Sequence, residues 1–117
     1  MGNPVVFFEV FANGGEKVRS FYKDLFGWQM NVDPKLNYAY VETGANKGIP
    51  GGIGQTQNGQ PSMLTFYVEV PDIDKALEKA NKLGGKTVLP KTVIPGAATI
   101  GLFADPEGHV VGVVLPR

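Results

Sequence analysis

The chain predicts an α+β fold: two pseudo-symmetric βαβββ modules forming a curved mixed sheet around a cleft, with the helices on the outer face. Three observations carry this. The stretch VVFFEVFANGGEKVRSFYKDLFGW near the start returns in diverged form as MLTFYVEVPDIDKALEKANKLGGK. Placing Gly27 on Gly85 sets an offset of 58, which also pairs Phe8 with Phe66, Val10 with Val68 and Leu25 with Leu83. Each copy runs from a short apolar strand through a turn and an amphipathic helix to glycine and a new strand. Two copies nearly fill the 117 residues, so one domain is expected, with module one at about 1–58 and module two at about 59–117.

Taken in order, residues 4–11 (PVVFFEVF) read as a strand apolar on both faces, and so covered on both sides. Asn13 and Glu16 have capping-box spacing. Val18, Phe21, Tyr22 and Leu25 then repeat at helical spacing, and Gly27 is placed to end the helix in a left-handed turn. Strands follow at Trp28–Val32 and Tyr38–Thr43, separated by a turn at Pro34 and Asn37. Residues 44–61 hold six glycines and read as a loop, with a short strand at Gly51–Gln55. The second module opens with a strand at Met63–Val70. Asp72 caps a helix carrying Ile73, Ala76, Leu77, Ala80 and Leu83, which Gly84 and Gly85 end. Lys86–Leu89 is the next strand, and Pro90 and Pro95 bound a loop. Strands at Thr99–Ala104 and His109–Leu115 flank Asp105-Pro106-Glu107-Gly108, which suits a type I turn.

Composition excludes several function classes. Without cysteine there is no disulfide, thiolate metal site or cysteine nucleophile. Eleven basic and eleven acidic residues balance with no basic stripe, which argues against nucleic acid or an anionic membrane as partner. No apolar run reaches the roughly 20 residues needed to span a bilayer. MGNPVVFF lacks a basic n-region, so a cytoplasmic protein is expected.

The segments FFEVFANGGEKVRSFYKDLFGW, YVEVPDIDKALEKANKLGGK and FADPEGHVVGVV, in this order and spacing, resemble the vicinal oxygen chelate superfamily of glyoxalases, bleomycin-resistance proteins and extradiol dioxygenases. The resemblance implies a concave sheet face on which His and Glu from four strands bind a divalent metal. Residue by residue, its ligand positions fall on Phe7, Thr65 and Gly112, with Glu42 nearest to the remaining one. A phenyl ring and a glycine offer no donor and Thr65 only a weak one, so no metal and no other cofactor are expected.

Strand alternation gives the cleft its expected lining. With Phe7 facing inward, Glu9 and Phe11 do too; with Thr65 inward, so do Tyr67 and Glu69, while Phe66, Val68 and Val70 pack under the second helix. Tyr38, Tyr40 and Glu42 share one face of their strand. Phe7, Glu9, Tyr38, Tyr40, Glu42, Thr65 and Tyr67 thus form an aromatic surface with sparse polar anchors, suited to a small flat or cationic organic ligand. Other readings stand beside this one. Phe7 and Phe11 also fit a hydrophobic core, and Glu9, Glu42 and Glu69 also fit solvated surface charges. His109 reads as a hairpin-end residue or a lone general base. The expected function is metal-independent binding of a small aromatic or apolar molecule. The alternative is a metal-dependent lyase, isomerase or dioxygenase with a relocated carboxylate site. A homodimer is expected from the apolar strands.

Overall fold

The computed structural model describes residues 2–117. Its elements are β1 (Val5–Ala12), α1 (Gly15–Phe26), β2 (Gln29–Asp33), β3 (Tyr38–Glu42), β4 (Gly51–Gln55), β5 (Met63–Glu69), α2 (Ile73–Lys82), β6 (Lys86–Ile94), β7 (Ala98–Ala104) and β8 (Val110–Val114). This is the βαβββ order twice, an α+β architecture. The repeat offset is physical: β5 and α2 begin at Met63 and Ile73, each 58 positions after β1 at Val5 and α1 at Gly15.

The chain divides into two compact units. One is residues 7–64; the other joins residues 2–6 to residues 65–117. In the first unit the strands lie in the order β2-β3-β4-β1. β1 runs parallel to β4, whereas β2–β3 and β3–β4 are antiparallel. Ala39, Val41 and Ile53 are fully buried on one face of this sheet. Removing the Val41 and Ile53 side chains from water contributes about 2 kcal/mol each. α1 packs on the same face through a ring series. Phe8 of β1 meets Trp28 at 5.4 Å, and Trp28 stacks on Tyr22 of α1 at 5.5 Å. Glycine lets the layers approach. A Cβ on Gly51 would overlap the Phe8 ring, and one on Gly15 would press on Gln55 and the Gly54 carbonyl.

In the second unit the order is β5-β8-β7-β6. β5 runs parallel to β8; the other pairs are antiparallel. Val70, Ile73, Leu77 and Val113 form its core, flanked by Val68, Ala76, Phe103 and Leu115. Asp72 caps α2, its side chain accepting from the Lys75 amide at 3.0 Å. Gly101 gives the helix room, since a Cβ there would stand 2.9 Å from Ile73. The segment before β1 lies along β5: the Glu69 amide donates to the Pro4 carbonyl at 2.9 Å, and Asn3 Nδ2 to the Glu69 carbonyl at 3.1 Å.

Four local expectations change. The first helix has Gly14 at its N-cap with no side-chain capping bond, so Asn13 and Glu16 do not form a capping box. The Pro90–Pro95 loop is instead a continuation of β6 to Ile94, with its register shifting around Leu89. As the edge strand of its sheet, β6 tolerates a residue without an N–H. Phe21 and Leu25, expected in the buried stripe of α1, are 59% and 57% exposed. Phe66, expected under α2, is 42% exposed.

Candidate functional site

Cross-strand register decides which side chains meet. In the unit of residues 7–64, Glu9 opposes Gly52, and Gly52 opposes Tyr40; Phe11 opposes Gly54, and Gly54 opposes Tyr38. Opposed residues share a face. Glu9, Phe11, Tyr38, Tyr40 and Glu42 therefore stand on the face away from α1, and Phe7 joins them by alternation along β1.

The rings on this face form a continuous cluster. Phe11 and Tyr38 have centroids 6.0 Å apart, and Tyr38 and Tyr40 lie edge to face at 5.1 Å. Tyr38 reaches from β3 across β4 to β1, where its hydroxyl donates to Glu9 Oε2 at 2.7 Å. Two glycines permit this. A Cβ on Gly52 would overlap the Tyr38 hydroxyl, and one on Gly54 would press into the Phe11 and Tyr38 rings. Glu9 is only 6% exposed. A carboxylate held so deeply requires donors, because burying it without them costs several kcal/mol. The Tyr38 hydroxyl supplies one such donor at close hydrogen-bond distance. Glu42 lies on the same face at the end of β3, opposite Gln29, and is exposed.

The remaining two expected residues belong to the other unit. Thr65 is buried and its Oγ1 donates to the Val110 carbonyl at 2.6 Å. Tyr67 is buried and opposes Gly112, where an added Cβ would overlap its ring. Each unit therefore seats a tyrosine ring over a β-strand glycine. The alternation of Gly52 and Gly54 was the available sequence signal for the first of these seats.

The donor set does not fit the metal that the resemblance implies. Phe7 has no donor atom, Gly112 has no side chain, and the Thr65 hydroxyl is committed to a backbone carbonyl. Among the described residues no three His, Asp or Glu side chains converge as a metal site. His109 sits at the β7–β8 hairpin, its side chain 73% exposed, with Nδ1 2.9 Å from Asp105 Oδ2. The His109 amide, and after it the Glu107 amide, donate to Asp105 and hold its carboxyl below the ordinary value.

A second concavity in the residue 7–64 unit, of about 570 Å³, is lined by uncharged polar groups that include Asn13, Gln55, Thr56, Asn58, Gln60 and Ser62. Gln55 ties this lining to the start of α1. Its Oε1 accepts from the Gly15 amide at 2.9 Å, and its Nε2 donates to the Asn13 carbonyl. Among the described residues no helix is long and apolar enough to cross a membrane.

Comparison with known proteins adds to this geometry. A family model described as bleomycin resistance protein-like N-terminal matches residues 5–44. The anthracycline biosynthesis protein DnrV of Streptomyces peucetius is 28% identical over 111 residues, covering 80% of this chain. The chain spans 40% of the length of that relative. A glyoxalase/bleomycin resistance protein/dioxygenase superfamily member from Vibrio splendidus 12B01 superposes with a TM-score of 0.65 at 19% identity, over 98% of this chain and 100% of that one. The methylmalonyl-CoA epimerase of Mycobacterium tuberculosis superposes with a TM-score of 0.68 at 11% identity, over 97% of this chain and 87% of that one. The doubled βαβββ order and these neighbours show the glyoxalase/bleomycin resistance protein/dioxygenase fold, and together with the match over residues 5–44 they support the resemblance to the vicinal oxygen chelate superfamily.

Proposed function

We propose that the chain is a metal-independent small-molecule binding protein of the glyoxalase/bleomycin-resistance type, holding a small aromatic or apolar ligand against the Tyr38–Tyr40 face. The observation that carries this is the replacement of donors by rings. Where the superfamily resemblance implies metal ligands, this chain has Phe7, a committed Thr65 hydroxyl and Gly112. Beside Phe7 on the same strand face stand Glu9 and Phe11, adjoined by Tyr38 and Tyr40. Aromatic walls with one buried polar anchor are the usual makeup of a small-ligand site. DnrV, named for anthracycline biosynthesis, gives a polycyclic aromatic panel as the starting set.

Two measurements test the reading. Titration with flat aromatic compounds, followed by isothermal calorimetry, should reveal saturable binding that Tyr40→Ala weakens about tenfold, the scale of one lost aromatic contact. Metal analysis after soaking in Zn, Ni, Mn and Fe salts and dialysis should find substoichiometric metal. Stoichiometric retained metal that Glu42→Gln abolishes overturns the reading, as does binding indifferent to Tyr40.

One observation favours an enzymatic alternative: Glu9 and Glu42 occupy the same sheet face. A carboxylate pair would take Mn or Mg in preference to Zn and could serve lyase, isomerase or dioxygenase chemistry. Turnover of α-keto-aldehyde thioadducts or catechols that is lost in both Glu9→Gln and Glu42→Gln would select it. A second copy of the chain is the expected partner, supported by the exposed Phe21, Leu25 and Phe26 on α1. Sedimentation across concentration should show a dimer; a monomer throughout rejects it.

A further inference from the structure

An Asn-Gly pair can react with itself, because glycine has no side chain to shield its nitrogen or restrict its backbone. The chain holds two such pairs, Asn13-Gly14 and Asn58-Gly59. The fold treats them in opposite ways. Asn13-Gly14 is bracketed by bonds: the Asn13 carbonyl accepts from Gln55 Nε2, the Gly14 carbonyl from the Val18 amide at 2.9 Å, and the Gly15 amide donates to Gln55 Oε1 at 2.9 Å. The residues on either side are pinned as well, Ala12 by the Thr56 amide at 3.0 Å.

Asn58-Gly59 lies in an exposed turn. The Gln60 amide donates to the Gln57 carbonyl at 2.8 Å, and Gly59 has φ of 74° while Asn58 has a negative φ. That combination is a type II turn with glycine at its third position. Among the described residues one backbone bond closes it, supported by the Gln57 amide donating to Gln60 Oε1 at 3.2 Å. A solvent-exposed turn with one closing bond opens at little cost.

We infer that Asn58 is a site of spontaneous self-modification, and that the fold protects Asn13 from the same reaction. The deprotonated Gly59 amide nitrogen attacks Asn58 Cγ. A C–N bond forms, the bond from Cγ to Nδ2 breaks, and ammonia leaves with the proton. Water then opens the cyclic imide at either carbonyl, giving aspartate or isoaspartate. One water enters, one ammonia departs, and no oxidant or reductant is needed. Either product places a carboxylate in a groove whose lining is otherwise uncharged. The isoaspartate product also inserts an extra backbone carbon into the turn.

Ageing the folded protein at mildly alkaline pH, then mapping peptides by mass spectrometry, tests this. A parallel sample in urea calibrates each site without the fold. In urea both asparagines should convert at similar rates. In the folded protein Asn13 should lag Asn58 by about tenfold or more, because its opening must break several bonds. Gly59→Ala should slow conversion at position 58 by shielding the attacking nitrogen. Equal folded-state rates at the two sites overturn the inference. So does protection of Asn58 as strong as that of Asn13 relative to urea, or conversion unaffected by Gly59→Ala.

Discussion

Tyr38 and Glu9 are bonded across an intervening strand. The tyrosine leaves β3, passes over the glycine positions of β4 and donates its hydroxyl to Glu9 Oε2 on β1 at 2.7 Å. This relationship converts an awkward sequence feature, a carboxylate within an apolar strand, into a satisfied buried group. It depends on a residue with no side chain at all, Gly52, and so makes the sheet's central row the most sensitive part of the face.

Gly52→Ala is the direct probe. The new Cβ would overlap the Tyr38 hydroxyl, so the ring must leave its seat. The expected loss is about 2–4 kcal/mol, combining overpacking with a donor withdrawn from a buried carboxylate. Urea unfolding measures it. In a Tyr38→Ala background the same substitution should cost far less, because the clash is gone. An equal cost in both backgrounds would place the strain elsewhere.

Tyr38→Phe keeps the ring and removes the donor. Losing a hydrogen bond to a buried carboxyl group costs about 1–3 kcal/mol. The midpoint of urea unfolding should fall accordingly with the m-value unchanged. The ring contacts with Phe11 and Tyr40 should survive, so near-ultraviolet circular dichroism should stay close to that of the parent. Unchanged stability would mean that the hydroxyl bond contributes nothing net.

Much of this fold was legible because the signals are local. Short apolar runs mark β1 and β5, helical spacing marks α1 and α2, and the repeat fixes one against the other. The short strand at Gly51–Gln55 was readable even though Ile53 is its one apolar side chain. What stayed hidden is long-range. Helical spacing groups Phe21 with Leu25 on one side of α1 but cannot say whether anything covers them, and both remain more than half exposed. Pro90 reads as a break because the sequence does not reveal that β6 is an edge. On the candidate face, parity correctly aligned Tyr38, Tyr40 and Glu42. The burial of Glu9 was undecidable from parity, since it depends on a ring two strands away and on the glycine beneath that ring.

The β7–β8 hairpin should respond to acid. Asp105 accepts from the His109 and Glu107 amides, and its folded pKa lies below the ordinary 3.8. A depressed carboxylate pKa stabilises the fold above the unfolded pKa, and that contribution fades as pH falls through the folded value. The stability difference between the parent and Asp105→Asn should therefore be full at neutral pH. It should begin to shrink near 3.8 and close below the folded pKa. Urea midpoints across that range measure it. A difference that stays constant through the acid range would exclude titration of Asp105 as its source.

The two helices carry the last prediction, because matching sequence signals lead to different outcomes. Asn13 and Asp72 both precede a helix at positions suited to capping. Only Asp72 does so: its side chain accepts from Lys75 at 3.0 Å, while α1 begins at Gly14 without a side-chain cap. Asp72→Ala should cost about 1 kcal/mol, both by stripping an acceptor from the first turn and by removing a negative charge from the helix N-terminus. Asn13→Ala should change stability by less than about 0.5 kcal/mol, because what holds position 13 is its backbone carbonyl, which alanine retains for Gln55. Gln55→Ala is the informative companion. It removes the acceptor of the Gly15 amide and the donor to Asn13 together, and should cost more than Asn13→Ala by about 1–2 kcal/mol. If Asn13→Ala proved as costly as Asp72→Ala, α1 would be capped by Asn13 in solution and not by the Gln55 amide.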